Sequence, residues 1–121
     1  MSKKILVVED TEDNRQILRD LLGMAGYEMI EARDGAEGVA QATEHKPDLI
    51  LMDIQMPVMD GYEATRRIKA DPALKSIPVI AVTSYALSGD EDKARAAGCD
   101  GYIAKPFSPR QMLAKVREVI G

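Results

Sequence analysis

The sequence predicts a three-layer α/β sandwich built on a parallel sheet, and three observations predict it. Short β-branched apolar runs alternate with longer helical patterns five times along the chain. Three of the five runs are continuously apolar, as strands covered on both faces must be. Five strand–helix units fill the 121 residues, so parallel strands joined by right-handed helical crossovers follow.

The elements are read in chain order. The first strand spans residues 4–9. Residues 13–25 place Ile17, Leu18, Leu21, Leu22 and Ala25 on one helical stripe, and Gly26 stops that helix. The second strand is 28–32, followed by a helix over 35–44 with Ala36, Val39, Ala40 and Thr43 on one face and Pro47 blocking continuation. The third strand is 49–53. Asp60 then opens the third helix with Glu63 three residues on, in the pattern of a capping box, and Asp71-Pro72 closes it.

The fourth strand is 79–83, and its helix covers 86–97 up to Gly98. The inward candidates of that helix are Leu87, Ala94, Ala96 and Ala97, of which one is large. Each fully buried large side chain contributes about 1.5–3 kcal/mol, so this helix is expected to be the most loosely held and a candidate moving part. The last strand is 101–104. The last helix, 109–120, is capped by Ser108 and carries Met112, Leu113, Val116 and Ile120 at helical spacing.

Bulk properties narrow the function classes. The hydrophobic share of 45% with 30% charged residues describes a soluble globular protein with an ordinary core, read as one domain over residues 1–121. A net charge of −4 with scattered basic residues argues against nucleic acid; the densest cluster, Arg66-Arg67 with Lys69, reads as a solvated helix face. Cys99 is the single cysteine, a structural thiol that excludes an internal disulfide and suits a reducing cytoplasm. After Ser2-Lys3-Lys4 the apolar run is four residues, too short for a signal peptide or a membrane span.

The chemistry collects at the strand ends. Ile5–Val8 runs into Glu9 and Asp10, Leu49–Met52 into Asp53, Val79–Val82 into Thr83 and Ser84, and Tyr102–Ala104 into Lys105. In a parallel sheet with helical crossovers these carboxyl ends share one edge, where ligands bind. Singly, each residue has a plain reading as a helix cap, a strand end or a turn. Jointly, at four strand ends, they form a site of three carboxylates, two hydroxyls and one amine.

Like charges 4 Å apart repel by about 4 kcal/mol at an effective dielectric of 20. Three clustered carboxylates therefore demand counter-charge. Lys105 supplies one, and Mg²⁺, which takes carboxylates, waters and phosphate oxygens, suits the rest. The amine and hydroxyls fit a phosphoryl group better than a structural metal. The chain lacks GxxxxGK[ST] and GxGxxG loops, and the first turn, E-D-T-E-D-N, would repel a nucleotide phosphate. Asp53 is then the central candidate to accept a phosphoryl group. His45 lies at a polar helix end, so a histidine donor would belong to another protein.

With V-V-E-D, L-M-D-I-Q-M-P-V-M-D-G, A-V-T-S-Y-A and G-Y-I-A-K-P in that order and spacing, the chain resembles the receiver domain of bacterial two-component response regulators over essentially its whole length. The resemblance implies a flavodoxin-like (βα)5 fold with strand order 2-1-3-4-5, an order borrowed from the family and not read from the pattern. It implies that Asp53 accepts a phosphoryl group from a phosphohistidine of a sensor histidine kinase or histidine phosphotransferase. Mg²⁺ would be held by Asp10, Asp53 and the backbone carbonyl of Gln55, with Glu9 acting through water.

By the same resemblance, Lys105, Ser84 and Gln55 would contact the phosphoryl oxygens, and the Lys105-Pro106 bond would be cis. Thr83 would be drawn to the phosphate, and Tyr102 would swing inward as the second switch residue. Gln55 and Tyr85 flank the route of attacking water, and bulky Tyr85 is expected to lengthen the life of the acyl phosphate. The fourth helix, fifth strand and fifth helix would form the responding surface, binding a separate downstream protein, because no output domain is attached. The expectation is a signalling switch, not an enzyme with a substrate of its own, acting as a monomer with dimerisation on phosphorylation left open.

Two alternatives stand beside it. A magnesium-dependent phosphatase with an aspartyl phosphoenzyme would place D-x-D after the first strand and carry a cap; this chain has E-D there and no cap. The run M-D-I-Q-M-P-V-M-D-G-Y-E-A-T-R-R-I also resembles receivers joined to hybrid histidine kinases. Met1-Ser2-Lys3-Lys4 leading directly into the first strand favours a stand-alone regulator of the chemotaxis or cell-division kind.

Overall fold

The computed structural model describes residues 3–54, 59–83, 90–105 and 107–120. Strands and helices alternate as β1 Lys4–Val8, α1 Glu12–Met24, β2 Glu28–Ala32, α2 Gly35–His45, β3 Leu49–Asp53, α3 Gly61–Ala70, β4 Val79–Thr83, α4 Asp90–Ala97, β5 Gly101–Ala104 and α5 Pro109–Ile120. The strands form one parallel sheet in the order β2-β1-β3-β4-β5. Fold class and strand order both agree with the sequence reading.

Strand alternation divides the core between the two faces. Leu6, Val8, Ile50, Met52, Val79 and Ala81 meet Ala42 of α2, Ala64 and Ile68 of α3 and Ala94 of α4. Ile5, Val7, Leu49, Leu51, Ile80 and Val82 meet Leu18 and Leu22 of α1 and Met112 and Val116 of α5. The register pairs Val8 with Met52, Asp53 with Val82 and Thr83 with Ala104. Consequently Glu9, Asp53, Thr83 and Lys105 all fall at one end of the sheet.

Helix ends follow the predicted chemistry. The Asp60 carboxylate accepts from Glu63 N at 2.9 Å, and Asp34 does the same for α2 through Glu37 N at 2.8 Å. Ser108 Oγ accepts from Gln111 N at 3.1 Å while Gln111 Oε1 accepts from Ser108 N at 2.7 Å, so α5 carries a reciprocal cap. Gly26 takes φ +89°, the left-handed turn that ends α1.

Three expected faces need correction. On α1 the buried residues are Arg15, Leu18 and Leu22, and Ile17 is 58% exposed. The helix is rotated so that an arginine, not an isoleucine, faces inward at the strand-end side. On α2 the buried residues are Gly35, Gly38 and Ala42, whereas Ala36, Ala40 and Thr43 are exposed. A Cβ on Gly38 would sit 2.9 Å from Val8 Cγ2; the helix lies so close to β1 that its glycine side faces the sheet. On α4, Ala94 and Ala97 are buried but Ala96 is exposed. Leu87 and the expected first turn of that helix lie outside the described residues.

Lys69 also departs from the solvated face assigned to it. Its Nζ donates to Lys75 O, Ile77 O and Asp100 Oδ2 at 3.1, 2.8 and 2.8 Å. Asp100 Oδ2 in turn accepts from Val79 N at 2.9 Å. The ammonium thus ties the loop after α3 to the start of β4 and the turn before β5. Arg66 and Arg67 remain exposed and pair with Glu63.

Candidate functional site

Glu9 follows β1 directly, and its N–H still donates to Ala32 O of β2 at 3.0 Å. The residue is 3% exposed, because the strand end points its side chain across the sheet edge and not into solvent. Asp53, the last residue of β3, is 4% exposed, while Asp10 is exposed. Carboxylate oxygens of Glu9, Asp10 and Asp53 lie within 4.8 Å of one another. Two of these three groups are therefore taken from water without leaving the company of like charge.

Lys105 stands against them. Its N–H donates to Thr83 O at 2.7 Å, which fixes the chain just past β5. Its Nζ donates to Glu9 Oε2 at 3.1 Å and lies 3.5 Å from Asp53 Oδ2. The other Glu9 oxygen, Oε1, accepts from Asn14 Nδ2 at 3.0 Å and from Thr11 N at 3.3 Å. Burial pushes the Glu9 carboxyl upward, the largest single effect. Hydrogen bonding to Asp53, Asn14 and Lys105, with the Lys105 charge, outweighs it and holds Glu9 below the usual carboxylate range.

Beside the acids lies a cleft of about 500 Å³ whose walls include Val7, Leu18, Leu51, Val82 and Phe107. Such apolar walls strengthen the charge interactions at its rim by lowering the effective dielectric. Thr83 is fully buried at the end of β4. Tyr102 is half-buried on β5, packed toward the face covered by α2, α3 and α4. Gln55, Ser84, Tyr85 and Pro106 lie outside the described residues.

The sheet edge thus brings Glu9, Asp10, Asp53 and Lys105 together, with Thr83 joined to Lys105 through the backbone. Oxygen donors alone, crowded and short of positive charge, suit a hard divalent cation such as Mg²⁺. Two contributors were not anticipated. Asn14 holds the Glu9 carboxylate, and Arg15 Nη1 donates to the Glu9 carbonyl oxygen at 2.7 Å. Their signal was available: side chains on a helix lean toward its N-terminus, so polar residues early in α1 reach back to the turn that precedes it.

The family model for the response regulator receiver domain matches residues 5–117. The chain belongs to that family. A curated relative, the polar-differentiation response regulator DivK of Brucella anthropi, is 46% identical over 121 residues, covering 100% of this chain and 98% of the relative. Among solved structures, the receiver domain of a Pseudomonas aeruginosa sensor histidine kinase has magnesium coordinated in its active-site cleft. It superposes with a TM-score of 0.93 at 37% identity, over 100% of this chain and 99% of that one. The chemotaxis protein CheY4 of Vibrio cholerae also gives 0.93, at 32% identity, over 98% and 99%.

Receiver domains are phosphoaccepting proteins of two-component signalling that bind magnesium at such an acidic site, and this receiver is a signalling protein of that class. Among the described residues, no helix is long and apolar enough to cross a membrane.

Proposed function

We propose that this receiver is the phosphoacceptor switch of a histidine–aspartate relay, with residues 1–121 acting as one domain in the cytoplasm. An Asp53 carboxylate oxygen attacks the phosphorus of a phosphohistidine on a sensor kinase or histidine phosphotransferase. The new O–P bond forms as the N–P bond breaks, and the imidazole leaves with the electron pair and takes up a proton. The observation that carries this reading is the Lys105 ammonium within 3.5 Å of the buried Asp53 carboxylate, beside two further acids.

Asp10 and Asp53, with the backbone carbonyl of Gln55 and with Glu9 through water, are the residues that would hold Mg²⁺. Bound there, the ion neutralises the acids and the incoming phosphoryl oxygens. Lys105 and Ser84 bind those oxygens, and the Thr83 hydroxyl follows them. Charge-assisted contacts of this kind are strong enough to bias a two-state element, and moving one from 1:99 to 99:1 takes about 5.5 kcal/mol. Tyr102 completes the switch, and α4, β5 and α5 present the new surface to a downstream protein.

Treatment with acetyl phosphate and Mg²⁺ tests the chemistry. Intact mass is expected to rise by one phosphoryl group in the native chain and not in Asp53→Asn. Beryllofluoride with Mg²⁺ is expected to shift amides on β4, α4 and β5. Phosphorylation that survives in Asp53→Asn overturns the assignment.

A further inference from the structure

Arg15 is 7% exposed, an unusual position for a guanidinium. Its donors are nonetheless engaged. Nη1 donates to Glu9 O at 2.7 Å and Nη2 to Glu12 Oε2 at 2.6 Å, while Nε lies 3.4 Å from Glu31 Oε1. Glu31 also accepts from Arg19, at 2.6 and 3.0 Å. One planar fork therefore bridges the end of β1, the first turn of α1 and strand β2.

The carbonyl that Arg15 grips belongs to the peptide joining Glu9 to Asp10. A peptide unit is rigid and planar, so holding its oxygen restrains the whole unit and with it the directions in which both flanking side chains leave. Meanwhile Asn14 and Thr11 N hold Glu9 Oε1. The positive charge of Arg15 is matched by Glu12 and Glu31, neither of them a member of the acid cluster. The fork can thus orient the acids without competing for them as a counter-ion.

We infer that Arg15 is a positioning residue that sets the Glu9–Asp10 turn for cation binding, an inference that rests on the magnesium reading of this site. Residues that orient metal ligands from behind typically change affinity 10–100-fold when removed. Simple Coulomb reasoning gives the opposite sign, since deleting a cation near a cation site should tighten binding. The sign of the effect therefore separates positioning from charge.

The test is an amide-shift titration of the full chain with MgCl2, which reports affinity and folding in the same spectra. Arg15→Met is expected to weaken Mg²⁺ about tenfold or more. Arg19→Met, which removes equal charge from the same network without touching Glu9, is expected to leave affinity unchanged or slightly tighter. Arg15→Lys keeps the charge but loses the fork, so its affinity should also fall several-fold; it decides the matter if Arg15→Met does not fold. Native-like or tighter binding in a folded Arg15 variant overturns the inference, leaving the magnesium site standing. Absence of Mg²⁺ binding in the native chain overturns the site reading itself, and this inference with it.

Discussion

The Lys105 ammonium nitrogen lies 3.5 Å from Asp53 Oδ2, although the two residues come from opposite halves of the chain. The same nitrogen is 3.1 Å from Glu9 Oε2. Among the described residues, this ammonium thus faces a cluster of three carboxylates, two of them buried. Without metal, neutralising Asp53 should relieve more repulsion than the lost pairing with Lys105 removes. Asp53→Asn is expected to raise the unfolding midpoint in EDTA by about 3–6 °C, the equivalent of about 1 kcal/mol. The gain should shrink when Mg²⁺ is added, because the ion already supplies the missing charge. A lower midpoint than the native chain in EDTA would contradict the crowding argument.

A second prediction concerns Cys99, buried against Thr65 with its Sγ 3.8 Å from Thr65 Oγ1. Burial pushes the thiol up. The nearby Asp100 charge adds to that, while Thr65 and Lys69 pull it down by less. The folded chain therefore holds this proton more tightly than the unfolded chain does. Its contribution to stability is complete below the ordinary thiol value and is lost as pH rises through the elevated folded value. As pH rises above the ordinary thiol value of about 8.5, the urea midpoint of the native chain should fall more steeply than that of Cys99→Ala. Thr65 tolerates the change because its hydroxyl also donates to Gly61 O at 2.7 Å. Parallel pH profiles would show that Cys99 titrates as an exposed thiol.

The strand ends were legible because continuous apolar runs mark where a parallel strand stops, and the residue after the stop must sit at the sheet edge. Glu9, Asp53, Thr83 and Lys105 could be placed together on that ground alone. Ile17 departs from its expected inward position, and Arg15 takes an inward place that the pattern does not mark, for a physical reason. Periodicity counts every apolar side chain as inward, but α1 turns about a guanidinium that β1, Glu12 and Glu31 satisfy, so Ile17 swings outward. On α2 the inward face is Gly35, Gly38 and Ala42, which hydrophobicity undervalues because close approach, not side-chain bulk, buries it. Lys69 gave no signal, since its partners are two loop carbonyls and a distant carboxylate.

That lysine supports a third prediction. Lys69→Met keeps most of the aliphatic stem but takes the ammonium away from two carbonyls and from Asp100, which keeps the Val79 N–H. Hydrogen bonds from a charged donor contribute about 1.5–3 kcal/mol, and solvent at the partly exposed ends replaces some of that. A loss of about 2 kcal/mol in urea-derived stability is expected. Affinity for Mg²⁺ should not change, because Lys69 holds the opposite end of β4 and β5 from the acids. A stability change within experimental scatter would mean that water substitutes fully for the ammonium.

The last prediction is dynamic. The buried apolar residues of α4 are Ala94 and Ala97, whereas α5 buries Met112 and Val116 and α3 buries Ile68. Larger buried side chains contribute about 1.5–3 kcal/mol each, so α4 has less to lose by opening than α3 or α5. Local opening free energies follow such differences, and elements that move in switching come from the low end. Amides of α4 are therefore expected to exchange with solvent deuterium faster than those of α3 or α5 in the unmodified chain. Adding beryllofluoride with Mg²⁺ should slow them, if charge captured at Asp53 and Lys105 is transmitted through Thr83 to the helix that follows β4. Exchange in α4 as slow as in α5 before activation would remove the loosely held helix as the moving part, and the switch would then have to lie in β5 and its Tyr102 alone.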